Sequence, residues 1–317
     1  MKSACDTSFT SDAGGRVTRA GLGLCVLNAA ILLCASACAA DEASQPAGKA
    51  SNPKDGEQPA AASRAETPAL GQQGVITVSG IKAADFTFNS VLYSAVNEHG
   101  LVDYDELERP TTEENLERVV QIYGEAELPE DADARTAFWC NAYNANVLLI
   151  LHREQRRDPE LRDVLSIEGF FDQKQIKVGR EIMVLNDLEH KKLRPLGDPR
   201  IHAALVCGAV SCPPLRREAF EAARLDAQLD DQSRRWINDA SKNHVEAAGL
   251  SISMILDWFK DDFIVEPFGG RIGFVRQFAA PGGPIDQYLK TNPEPVLLFE
   301  PYDWRINDAK ALDPISP

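Results

Sequence analysis

Positive charge is in short supply: 33 Lys and Arg face 48 Asp and Glu, giving a formal net charge of -15. With a pI near 4.8, the chain has no basic surface with which to neutralise rows of phosphate, so nucleic acid is not expected as a partner. The two basic bunches, "HREQRR" and "EHKKLR", are interleaved with acids or polar residues and read as solvated helix faces. Glycine-rich phosphate loops and internal repeats are also lacking, which removes the motifs of nucleotide-binding sheets and solenoids. Cysteine is sparse beyond the first forty residues. Only Cys140, Cys207 and Cys212 remain there, and no C-x-x-C pair occurs among them. The odd number leaves at least one thiol free.

Long apolar runs are missing too, except near the start. Met1 to Arg19 is polar and carries Lys2, Arg16 and Arg19, and Ala20 to Leu33 is apolar but for Asn28. That run falls short of the roughly 20 residues a membrane-spanning helix needs. Small residues follow it, Ala35-Ser36-Ala37-Cys38, so residues 1–38 read as a signal peptide of lipoprotein type with Cys38 as the lipidated residue. Residues 39–79 are rich in Ala, Ser, Pro, Gly and charge, cannot bury enough apolar surface to offset ordering, and read as a disordered linker. The expected organisation is then an exported, lipid-anchored envelope protein with a globular domain at 80–310 and a short tail at 311–317. Its expected partner is the membrane, through the anchor or tether, with a further protein or small-molecule partner unspecified.

Within the domain, "TEENLERVVQIYGEA" has helical apolar spacing, with Thr111 or Thr112 expected as cap. "DADARTAFWCNAYNANVLLILHRE" predicts a second helix opened by Asp131 or Asp133. Being apolar nearly all round, it belongs in the middle of a core. "KQIKVGREIMVL" predicts a hairpin turning at Gly179-Arg180, "NDLEHKKLR" a helix capped by Asn186 or Asp187, and "RIHAALVCGA" a buried strand ending at Gly208. An amphipathic helix at "LDAQLDDQSRRWIND", a strand leading into a helix at "LSISMILDWFKDDF", and a closing strand at "EPVLLFEPYDWRIND" complete the pattern. Helices and strands mix without regular alternation. That predicts an α+β class: a single globular domain with a buried central helix packed on a small mixed or antiparallel sheet.

The central helix holds Asn141, Asn144 and Asn146 amid apolar residues, where asparagine is a poor helix former. Asn141 and Asn144 are three apart and share a face. Buried carboxamides must find partners, either in neighbouring loop backbone or at a catalytic side chain.

"HGLVDYDELER", "AFWCNAYNA", "LNDLEHKKLR", "DPRIHAALVCGAVSCPPLR", "LDWFKDDF" and "YDW", in that order from about His99 to Trp304, resemble the successive signatures of the domain of unknown function 547 family. One departure is Cys140, which stands where the family usually has an aliphatic residue. The resemblance implies no settled activity. It does group Asn141, Asn144, Asp187, His190, His202, Cys207 and Cys212 on matching positions.

The chemistry of that group leaves several readings open. Cys207 and Cys212 are five apart with Gly208 between them, a spacing that allows a structural disulfide in an oxidising compartment. A thiol nucleophile, Cys207 or Cys212, with His190 or His202 as base and Asp187 or Asn141 as orienting group, would make a thiol-dependent hydrolase or acyl-transferase. Zinc held by Cys207, Cys212, His190 and His202 is the metal alternative to an otherwise cofactor-free domain. On a strand, His202 and Cys207 would point to opposite faces, which argues against their direct pairing. The competing class is a non-catalytic envelope lipoprotein that binds a partner or small ligand, with Cys207–Cys212 a disulfide. All six candidates, Asn141, Asp187, His190, His202, Cys207 and Cys212, are expected to converge in one pocket beside the central helix.

Overall fold

The computed structural model describes residues 78–312; the expected signal, Cys38 and most of the linker lie outside them. Among the described residues no helix is long and apolar enough to cross a membrane.

The described residues open with α1 (Val78–Ala95), α2 (Tyr104–Leu107), α3 (Pro110–Glu125) and α4 (Ala132–Arg157). Pro110 sits at the first position of α3, where its missing N–H costs nothing. Arg109, not Thr111 or Thr112, precedes that helix, and it supplies no side-chain cap. Asp131 caps α4 by accepting from the Ala134 amide at 2.8 Å. From Thr136 to Leu149 α4 is buried on all sides, as its all-round apolar character requires. It is packed against α1 and α3 and lies beside the hairpin that follows.

That hairpin is antiparallel, β1 (Ile176–Val178) with β2 (Glu181–Met183), and both turn residues, Gly179 and Arg180, have positive φ. Paired left-handed residues are the signature of the tight turn that matches strand twist. α5 (Leu185–Asp187) then runs into a single π-helical stretch, Leu188–Leu193, with no side-chain cap from Asn186 or Asp187.

The segment expected as a strand is instead a four-residue helix, α6 (Ile201–Ala204), followed by extended backbone. Its continuous apolar character reflects packing on both sides. Ile201 and Ala204 join the core around α4, while Ala203 joins a second core. That second core gathers α7 (Leu225–Ile237), β3 (His244–Glu246), β4 (Gly249–Ser251), α8 (Ile255–Trp258), α9 (Arg271–Phe278) and α10 (Pro284–Thr291). β4 pairs antiparallel with β3 and parallel with β5 (Leu297–Leu298). The expected closing strand is reduced to β5 and three isolated bridges, Asp163 with Arg305, Ala209 with Ile306 and Val102 with Asp308, before α11 (Ala309–Leu312). Among the described residues the architecture is α+β, largely helical, with two small sheets. Its two cores meet along α6 and the chain that leaves it.

Candidate active site

Asn144, buried on α4, fixes the backbone that follows α6. Its Oδ1 accepts from the Val206 amide at 3.0 Å, and its Nδ2 donates to the Ala204 carbonyl at 2.9 Å. A buried carboxamide satisfied on both ends is a rigid clamp. Replacing it with alanine strands a buried amide and a buried carbonyl. Asn144→Ala is therefore expected to lower stability by about 1–3 kcal/mol in denaturant unfolding, and to loosen the turn that comes next.

That turn carries the cysteines. Gly208 has φ +86°, and a Cβ there would run into Leu151 of α4, so only glycine fits. Its carbonyl accepts from the Asn307 amide at 2.9 Å, and the Val210 and Ser211 amides donate to the Arg305 and Asp303 carbonyls. The turn is thus pinned between α4 and the C-terminal segment. Cys207 and Cys212 have their Cα atoms 6.4 Å apart and their sulfurs at disulfide distance. The Cys212 sulfur also accepts from the Cys207 amide at 3.1 Å and from the Tyr302 hydroxyl at 3.2 Å. Cys207 is the more exposed of the two.

His202 lies nearly fully buried on α6, its ring stacked on Phe259 with centroids 4.3 Å apart. Its Nε2 is 2.8 Å from Asp262 Oδ2. Asp262 is held in turn by both Nε (2.6 Å) and Nη2 (2.8 Å) of Arg194, the fork geometry that arginine presents to a carboxylate. Burial works against ionisation of Asp262, but the hydrogen bonds from His202 and Arg194 outweigh it and hold the carboxyl well below its usual range. Burial lowers the pKa of His202, more than Asp262 raises it, so the ring is neutral near pH 7. A neutral imidazole that gives its Nε2 proton to a carboxylate keeps a free lone pair on Nδ1.

His190 follows a different logic. Arg194 Nη1 lies 3.1 Å from His190 Nδ1. A guanidinium only donates, so Nδ1 accepts and the His190 proton sits on Nε2. Burial, followed by Arg194 and His202, keeps its pKa below the ordinary value. The two histidines are therefore complementary: one offers a lone pair, the other an N–H.

Both histidines and both cysteines line one cavity of about 170 Å³, walled by Tyr143, Phe171, Trp258, Phe259, Tyr302 and Trp304. Glu189 lines it as well. Burial pushes this carboxyl up to about 7, against the pull of Arg194 and of a hydrogen bond from Tyr143. It belongs to the π-helical stretch, a departure from regular helix often found at working sites.

Of the six side chains expected to converge, these four do. Asn141 and Asp187 do not line the cavity. Asp187 is partly exposed and pairs with Lys191 at 2.8 Å. Asn141 turns to the Phe220 backbone and to Asp85. The carboxylate that pairs with His202 is Asp262, sixty residues beyond it, and strand alternation does not separate His202 from Cys207, because the segment is not a strand. Among the described residues no three His, Cys, Asp or Glu side chains are grouped as a metal would require, so the zinc set is not assembled. Cys140 is free and fully buried, its thiol pushed up by burial.

Asp262, Glu189 and Tyr302 were all within quoted signatures. "LDWFKDDF" contains Asp262, "LNDLEHKKLR" contains Glu189, and "YDW" contains Tyr302. Their residue types were visible, but nothing local tied them to the cysteines.

Two packed cores thus carry a small aromatic-walled cysteine–histidine pocket between them. Residues 129–237 match the model of the family described as "Protein of unknown function, DUF547". No curated protein and no solved structure matches the chain. The matched span includes α4, both cavity histidines and both cavity cysteines, and it ends before Asp262 and Tyr302.

Proposed function

We propose that the domain is a thiol-dependent hydrolase or acyl transferase, anchored in a bacterial cell envelope through lipidated Cys38. The observation that carries the chemistry is His202, held by Asp262 through Nε2 and lining the same small cavity as the two sulfurs. Activation of a thiol by a histidine that a carboxylate orients is the general pattern of such enzymes. The more exposed Cys207 is the nucleophile, and Cys212 is its redox partner. A cellular dithiol first reduces the pair, being oxidised to its own disulfide. Cys207 then gives its proton to His202 Nδ1 as its sulfur attacks an acyl carbonyl. The leaving group takes that proton from the imidazole and departs, forming a thioester. Water or an acceptor amine cleaves the thioester and restores the thiol. His190 Nε2–H and the Tyr302 hydroxyl are suited to donate to the developing oxyanion.

The test is a panel of small acyl esters and thioesters offered to the protein with and without dithiothreitol, read by turnover and intact mass. An acyl adduct on Cys207 only after reduction, absent in Cys207→Ser, supports the reading. No adduct on any cysteine of the reduced protein sets it aside.

A second reading keeps the disulfide as a permanent staple in a non-catalytic ligand- or partner-binding lipoprotein, and the sulfurs at disulfide distance favour it. On that reading, reduction lowers stability by about 2 kcal/mol and unmasks no fast-reacting thiol. The location is checked separately by the intact mass of the membrane fraction, where the mature chain should begin at a diacylated Cys38.

A further inference from the structure

The side of α4 that Asn141 faces has a pocket of its own. It encloses about 450 Å³ between α1, the start of α4 and the segment around Phe220, within the range of roughly 300–1,000 Å³ typical of small-molecule sites. Its walls are chiefly apolar, with Ile81, Phe86, Phe138 and Phe220 prominent. Set into them is one partly buried carboxyl, Asp85. Tyr123 donates to Asp85 Oδ1 at 2.6 Å and Asn141 Nδ2 to the same oxygen at 3.2 Å. Asp85 Oδ2 receives no hydrogen bond among the described residues, and Lys82 on the rim makes no ion pair with it there. Two buried neighbours therefore fix the carboxyl through one oxygen and leave the other, partly exposed, open to a donor on a ligand.

We propose that this pocket binds a small amphipathic amine, its hydrocarbon body against the phenyl rings and its ammonium on Asp85 Oδ2. A cation suits the site better than a neutral donor. Glu221, also in the lining, adds negative potential, and an ammonium pairs with a desolvated carboxylate more strongly than a hydroxyl does. Burial raises the Asp85 pKa, with Glu221 adding to it, against hydrogen bonds from Tyr123 and Asn141, and it settles at about 6. At pH 7.5 the group is therefore ionised and ready for a cation. The site is separate from the cysteine cavity, shares no lining residue with it, and does not depend on the acyl-transfer reading.

Phenethylamine and its neutral analogue 2-phenylethanol serve as probes in calorimetric titration of the full chain at pH 7.5. The amine should bind saturably and at least tenfold more tightly than the alcohol. Asp85→Asn should erase that difference while leaving alcohol binding in place. Ala134→Trp, which fills the pocket from the first turn of α4 and keeps Asp85, should abolish both and decides the matter if Asp85→Asn does not fold. Equal affinity for the two probes, full amine binding by Asp85→Asn or by Ala134→Trp, or no saturable amine binding would overturn the proposal.

Discussion

His202→Ala should slow acylation of the reduced protein by about 10²–10⁴-fold, the contribution typical of a positioned general base. The ring donates to Asp262 at 2.8 Å and stacks on Phe259, so its Nδ1 is held in one direction. Alanine removes both the base and the hydrogen bond that the carboxylate answers. Arg194 still holds Asp262 from the other side, so the carboxylate is not orphaned and the fold should survive. The pH profile gives a second signature. Because the folded pKa of His202 lies below its ordinary value, the base stays unprotonated on the acid side of 6.5, and activity should persist further into acid than a solvent-exposed histidine would allow. Stability has the matching sign. The unfolded chain takes up this proton more readily than the folded one, so His202 contributes nothing above about pH 6.5 and costs stability as pH falls below it. Single-turnover acylation measured from pH 5 to 8 on both proteins checks this. A His202→Ala rate within a few-fold of the parent would show that the imidazole is only packing.

Glu189→Gln should stabilise the protein by about 1–3 kcal/mol at pH 8. The Glu189 carboxyl is enclosed by the cavity wall and raised to about 7 by burial, despite Arg194 and Tyr143. A group raised above its unfolded value near 4.5 favours folding below that value and loses the advantage as pH rises through about 7. At pH 8 the native carboxyl is charged and desolvated, and glutamine keeps an acceptor for the Tyr143 hydroxyl without the charge. At pH 4.5 both forms are neutral and the gain should vanish. Urea unfolding of the two proteins at the two pH values reads the difference directly. A stability advantage that the structure forgoes is what a working site would show, and a loss of stability at pH 8 would instead make Glu189 part of a structural ion network.

The fold was readable where one signal dominated. α4 declared itself through unbroken apolar character behind an Asp131 cap, and the β1–β2 turn through Gly179-Arg180. α6 was not, because an apolar run such as "IHAALV" fits a doubly buried strand and a doubly buried helix equally well, and only the two cores around it decide. The site divides along the same line. His190, His202, Cys207 and Cys212 are grouped through the resemblance, by their positions in the family's signatures. Asn141 and Asn144, three apart, share a face but reach different targets, one the Phe220 backbone and Asp85, the other the backbone after α6. Asp187 does not line the cavity, and the carboxylate that pairs with His202 is Asp262, a pairing across sixty residues that leaves no local trace. Glu189 lies in the segment expected as a regular helix, "NDLEHKKLR". The π-helical stretch aims it into the cavity instead.

The most direct test is the alkylation rate of each cysteine by iodoacetamide in the native, reduced protein, with the modified residue identified by mass spectrometry. Cys207 should react fast and alone, Cys140 and Cys212 should stay protected, and His202→Ala should slow Cys207 without unfolding the chain. If all three cysteines of the reduced, folded domain resist alkylation, or if Cys207 reacts no faster in the parent than in His202→Ala, the cavity does not house an activated thiol.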